Sequence, residues 1–114
     1  MPSHRIERFS EDLKRELSAL IRDLKDPRID SLLSVMRVEV TSDLSYAKVY
    51  IGSLEGFEKA KSACEVLKKH AAGHIRSEVS KKLHIRKIPE LHFFPDDSSD
   101  YYNKINDIIE GFKN

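Results

Sequence analysis

The sequence of 114 residues predicts an α+β fold in which amphipathic helices cover one side of a small three-stranded sheet. Three observations predict it. Apolar residues at Ile6, Phe9, Leu13, Leu17, Leu20, Ile21 and Leu24 recur at the three- and four-residue spacing of a helix with one buried stripe. The runs Ser34 to Thr41 and Tyr46 to Ser53 alternate apolar and polar residues on either side of a short polar turn, which is the pattern of an antiparallel hairpin. From Phe57 the spacing returns to that of a helix, and a strand-like run bracketed by prolines follows at residues 89–95.

The first helix is expected over Arg5 to Leu24, with Ser3 as its cap. Bases and acids cancel over residues 1–30, so most of its polar side is a solvated face. Arg5 and Arg8 project together from one turn and are its two candidates for contact with a partner. Asp26-Pro27-Arg28 ends the helix, because the residue before a proline is pushed out of the α region. Asp26 and Pro27 read as a structural turn. Arg28 is left between pairing with a local acid and facing a partner.

In the hairpin, Met36, Val38 and Val40 are expected to face the core, with Val35, Arg37 and Glu39 on the other side. Ser42-Asp43-Leu44-Ser45 is the turn. Ala47, Val49 and Ile51 point inward, and Tyr46, Lys48 and Tyr50 outward. Aromatic and cationic side chains sharing a face can stack bases, but rings that coat a strand or lie under the C-terminal segment are the simpler reading. The last strand places Leu91 and Phe93 in the core.

The stretch from Ala60 to Pro89 organises the rest. Ala60, Ala63, Cys64, Leu67 and Ala71 line one helical face, and Ala72, Ile75, Val79 and Leu83 line another. The two patterns meet at Ala71-Ala72-Gly73, which reads as a kink marked by Gly73, since glycine costs about 1 kcal/mol against alanine inside a helix. Positive charge collects in the same stretch. Lys59 to His92 holds nine Lys and Arg against three acids, a local +6 in a chain whose total is +1. That is the footprint of a face that binds polyanions. Lys68 and Lys69 before the kink, Arg76, Lys81 and Lys82 on the helix after it, and Arg86 and Lys87 just beyond are the candidate phosphate contacts. Ala72 and Gly73 would allow close approach of such a polyanion's backbone. Lys59 and Lys61 read as solvated charges.

Residues 1–95 are expected to form one domain. Residues 96–114 form an acidic tail with apolar residues Tyr101, Tyr102, Ile105, Ile108, Ile109 and Phe112 at helical spacing, and the net charge over 95–114 is −3. No apolar run approaches the ~18 residues that span a bilayer, and residues 1–8 lack the apolar segment of a signal peptide. The one cysteine, Cys64, cannot form an internal disulfide, which fits a reducing, cytoplasmic setting. Monomer is the default state.

Two other function classes fit parts of the sequence. A helix-turn-helix that binds DNA could be built from the two helices around Gly73, but the second helix spends Ile75, Val79 and Leu83 on the core and lacks an Arg/Asn/Gln-rich reading face at its start. For an enzyme, His70 and His74 are four apart and could share a metal, but Gly73 lies between them and a third ligand has no supporting motif. No nucleophile triad, phosphate-binding glycine loop or pair of carboxylates stands out, so no catalytic residue, cofactor or small-molecule substrate is expected.

The order α-β-β-α-kink-α-β fits the second type of K-homology fold, an RNA-binding architecture whose G-x-x-G loop normally clamps the nucleic-acid backbone. Here Ala71-Ala72-Gly73 stands in place of that loop. The chain resembles the bacterial ribosome-binding factor A family over Arg5 to about Ser98. The resemblance is carried by Arg5 and Arg8, Leu24 with Asp26-Pro27-Arg28, residues 38–45 with Ala47-Lys48-Val49-Tyr50, Ala72-Gly73-His74-Ile75-Arg76, Leu83 with Ile85-Arg86, and Pro89-Glu90-Leu91 with Phe93 and Asp96. It implies a K-homology-like fold with an alanine-centred kink. It also implies a non-enzymatic factor that associates with the free small (30S) ribosomal subunit. There it would support late maturation of 16S rRNA, including processing of the 5′ end, most of all in the cold.

Overall fold

In the computed structural model, residues 4–24, 26–29, 33–85 and 87–97 are described. Helix α1 runs His4–Asp23, followed by strands β1 (Leu33–Val40) and β2 (Tyr46–Ser53). One long helical stretch follows. It comprises α2 (Phe57–Val66), a π turn (Leu67–Ala71) and α3 (Ala72–Leu83), and it leads to strand β3 (Glu90–Pro95). The sheet order is β1-β2-β3, with β1 and β2 antiparallel and β2 and β3 parallel. A parallel pair needs a crossover, and the long helical stretch provides it. The expected order is therefore observed. The expected C-terminal helix and Ser3 cap lie outside the described residues.

The core is one cluster between the helices and one sheet face. Leu13, Leu17 and Ile21 of α1 meet Ala47, Val49 and Ile51 of β2, Leu67, Ile75 and Val79 of the helical stretch, and Leu91 and Phe93 of β3. Phe93 is the largest fully buried side chain among the described residues. The inward and outward sets of β2 and β3 are those the alternation predicts.

Strand β1 departs from its expectation. The register shifts between Val35, opposite Ile51, and Arg37, opposite Tyr50, so Met36 is an extra residue in a β-bulge. Because a strand alternates faces at every residue, one inserted residue flips the phase. Val35 is thereby buried along with the inward-facing Val38 and Val40, instead of lying opposite them.

The helix junction is the second departure. Ala60, Ala63, Cys64, Leu67 and Ala71 share one azimuth on an ideal helix. Ile75, Val79 and Leu83 follow about 100° out of phase, the angular step of one residue. A π turn holds one residue more than an α turn. The π turn at Leu67–Ala71 absorbs the slip, so both apolar sets face the same sheet. The irregular residue is Ala71, at φ −123° and ψ −14°. Gly73 is not the kink. It lies inside α3, is exposed, and a Cβ added to it would meet nothing within 4 Å. Among the described residues, the glycine whose freedom the backbone uses is Gly56, at φ 111° ahead of α2.

The hairpin turn is built on Asp43. Its Oδ1 accepts from the Thr41 hydroxyl at 2.7 Å, the Ser45 hydroxyl at 2.7 Å and the Ser45 amide at 3.1 Å. These bonds hold Leu44 at φ 60°, and they draw the Asp43 pKa down to about 2.

Candidate nucleic-acid interface

The predicted basic residues are exposed wherever the structure describes them, but they do not form a single patch. Arg5, at the start of α1, and Lys87, in the link from α3 to β3, meet across a groove of about 540 Å³ with Ile6, Phe9, Ser42, Leu44 and Ile85. Arg8 does not join them. It borders a separate depression among Glu7, Glu11, Asp12 and Arg15, where acids balance it. Arg86 lies outside the described residues.

On α3, Arg76, Lys81 and Lys82 are all exposed. At about 100° per residue, Arg76 stands roughly 120–140° around the helix from each of the two lysines. Arg76 donates from one guanidinium nitrogen to the Ile88 carbonyl at 3.2 Å, which ties it to the α3–β3 link and leaves its other donors free of that bond. Lys81 pairs with Glu78 at 3.6 Å on the surface. Such exposed pairs are worth little and give way readily to a phosphate. Between these cations the helix shows solvent the bare backbone of Gly73, with Ala72 beside it partly packed on the core.

Lys68 and Lys69 are both exposed on the π turn and diverge. Lys69 reaches toward Glu65 at 4.0 Å. Lys68 turns to the edge of the sheet, where its Nζ lies 5.9 Å from the centre of the Phe94 ring. Arg28 is settled by the structure. It grips Asp26 through two side-chain bonds of 2.9 and 2.7 Å and donates its backbone amide to the same carboxylate at 2.9 Å. The guanidinium holds Asp26 down to a pKa of about 2. Arg28 is thus a clamp on the turn after α1. Cys64 is buried at 3 % exposure among apolar groups, and burial pushes its thiol up to about 12.

Arg37, expected only on the outer side of β1, is a cation that the charge pattern did not mark, and Lys68, a predicted phosphate contact, turns out to face the sheet. They share the outer side of the sheet with Tyr46, Lys48, Tyr50, His92 and Phe94. The alternation of β1 would have found Arg37. Nothing local to Lys68 says that it faces Phe94.

The strand order, the crossover and the helix junction define the class: a K-homology-like α+β domain in which a π turn replaces the glycine loop and cations stand on the solvent side of the helices. Within that class the chain can be placed. The sequence profile of ribosome-binding factor A matches residues 5–109, and the chain belongs to that family. It is 47% identical over 95 residues to ribosome-binding factor A of Acetivibrio thermocellus, covering 82% of this chain and 76% of that one. The crystal structure of ribosome-binding factor A from Thermus thermophilus superposes with a TM-score of 0.71 at 29% identity, covering 82% of this chain and 98% of that one. A homology model of the Thermus thermophilus protein, fitted into a cryo-EM map of its complex with the 30S subunit, superposes at 0.67 with 30% identity, covering 80% and 94%.

Proposed function

We propose that this chain is a non-enzymatic ribosome assembly factor that binds the free small ribosomal subunit in the cytoplasm and aids late maturation of 16S rRNA, including trimming of its 5′ end, with most effect in the cold. The observation that carries the reading is the placement of charge. In a chain of net charge +1, Lys68, Lys69, Arg76, Lys81, Lys82 and Lys87 all stand exposed along one crossover, while the apolar side of the same segment closes the core. Membership in a family whose Thermus thermophilus member has been fitted into a 30S complex supports it.

The mechanism is phosphate neutralisation. Ribosomal RNA presents dense phosphates, and each lysine or arginine that meets one releases condensed counterions. A-form RNA is read by shape and by its backbone. Cations spread around α3 and at the Arg5–Lys87 groove suit a curved, backbone-lined surface, and bare Gly73 lets a sugar-phosphate chain approach the helix. The helix-turn-helix alternative loses its footing because α2 passes into α3 through a wound π turn with no intervening turn residues. In this reading residues 1–95 carry the binding and the acidic tail is accessory.

Co-sedimentation with purified ribosomal particles over a salt series tests the proposal. Binding to free small subunits that falls steeply with salt, is absent from large subunits and is weakened by charge reversal at Arg76, Lys81 and Lys82 is expected. Retention on duplex DNA with no binding to any ribosomal particle would overturn it.

A further inference from the structure

The side of the sheet away from the helices carries a second surface, to whose edge Lys68 of the helical stretch also reaches. Across its middle runs a transverse row drawn from four elements. Arg37 of β1, Tyr50 of β2 and Phe94 of β3 are register partners, and Lys68 of the π turn closes the row. The Arg37 guanidinium lies 4.2 Å from the centre of the Tyr50 ring, the Tyr50 and Phe94 rings are 5.8 Å apart, and the Lys68 ammonium is 5.9 Å from Phe94. Two residues along the strands is a second row. Lys48 is the register partner of His92, and the Tyr46 ring stacks on His92 at 4.1 Å with the planes 19° apart. All four rings are half-buried against the strands, and Lys48 is exposed between them.

We infer that this face is a stacking platform for unpaired RNA, taking about two bases on the two aromatic pairs with their phosphates on Arg37, Lys48 and Lys68. Three properties select that partner. The Tyr46–His92 and Tyr50–Phe94 pairs present aromatic rings on this side of the sheet, and every base has a π-face that can stack on a ring, so stacking tolerates sequence. A single β-sheet with paired aromatics is a known solution for splaying out two or three bases. Cations flank the rings at both ends of the row, and the planar guanidinium of Arg37 is itself a stacking surface. Glu39, which pairs with Arg37 at 3.0 Å, and Glu90, 3.3 Å from His92, rim the same face. This acidic rim weakens any partner held by charge alone, so an acidic peptide, which brings no bases to stack, is disfavoured relative to RNA.

The inference rests on the proposed function only in that ribosomal RNA is then the RNA the chain meets. It adds that the chain touches RNA on two opposite sides, gripping folded backbone with α3 and holding a single strand on the sheet. With only three cations, the platform should show a shallow salt dependence, a slope of about −2 in log affinity against log salt for a single strand.

The test uses the full chain and a short single-stranded uridine oligonucleotide carrying one 5-iodouridine, which crosslinks to stacked aromatic rings on irradiation. Crosslinks mapped by mass spectrometry to Tyr46, Tyr50, His92 or Phe94 are expected; crosslinks confined to residues 72–87, or none, would overturn the inference. In parallel, the double variant Tyr50→Leu/Phe94→Leu should weaken oligonucleotide binding about tenfold, within the range of one lost stacking contact, and leave duplex RNA binding within about twofold. Equal losses for single-stranded and duplex RNA, or no loss, would refute it. Arg37→Gln/Lys48→Gln, two exposed changes that leave the core intact, should weaken the single strand alone and guards against a fold defect in the first variant. Displacement of the oligonucleotide by an aspartate-rich peptide at equal charge would show that charge, not bases, is read and would also overturn the inference. Duplex binding and subunit co-sedimentation report on the proposed function separately.

Discussion

Gly73→Ala separates what the fold needs from what a partner needs. Gly73 lies in α3 without positive φ, and a Cβ there meets nothing within 4 Å. Packing therefore has no reason to require glycine, and helix propensity argues against it. Replacing an exposed helical glycine by alanine gains about 0.5–1 kcal/mol, because alanine loses less backbone entropy on folding. The entropy of unfolding is about 2.1 cal/mol/K per residue, or roughly 0.24 kcal/mol/K for a chain of this length. Gly73→Ala should then raise the melting temperature by about 2–4 °C. In the proposed interface the same methyl group would stand between the helix and the RNA backbone, so affinity for small subunits should fall severalfold. Thermal melts followed by circular dichroism and co-sedimentation at fixed salt read the two effects side by side. A lower melting temperature would refute the structural half, since some part of the fold must then need the glycine. A higher melting temperature with unchanged binding would refute the close approach of RNA.

Further expectations concern the turns and the core. His84 ends α3 in the left-handed region at φ 54°, so His84→Gly should stabilise the chain by about 0.5–1 kcal/mol, read as a rise in melting temperature; a fall would mean that the imidazole makes contacts that outweigh its backbone strain. Asp26 and Asp43 both have pKa values drawn down to about 2 from 3.8, so their stabilisation is complete above about pH 4 and is lost as pH falls toward 2. The melting temperature should drop over that window, and Asp43→Asn should flatten part of the drop; an unchanged acid profile in the variant would contradict the turn's role. Cys64, with its thiol pushed up to about 12, should resist alkylation at pH 8 until the chain unfolds. Rapid modification of the folded protein by iodoacetamide would contradict its burial.

Much of this molecule is decided by periodicity. Burying a stripe of α1, one face of β2 and one face of β3 requires spacings of three to four or of two, and those spacings are visible at Leu13, Leu17 and Ile21, at Ala47, Val49 and Ile51, and at Leu91 and Phe93. The charge excess between Lys59 and His92 is equally plain, because composition is local. The phase slip of one residue between Ala71 and Ile75 was also present in the sequence. It called for an inserted residue, which the π turn supplies, whereas a glycine beside the slip drew attention to the wrong position.

What only the tertiary structure decided depends on contacts between distant segments. The bulge at Met36 exists because both Val35 and Val38 gain by facing the helices, a preference set by the partner strand and the core. Arg5 and Arg8 parted because different neighbours border them, Lys87 and the hairpin turn beside Arg5 and the acids of α1 around Arg8. The row Arg37, Tyr50, Phe94 and Lys68 comes from four elements spread across the chain, and strand register places them together. Side-chain periods depend on near neighbours and can be read along a chain. Register and crossover geometry are collective outcomes of packing, so the surfaces they assemble appear only when the chain has folded.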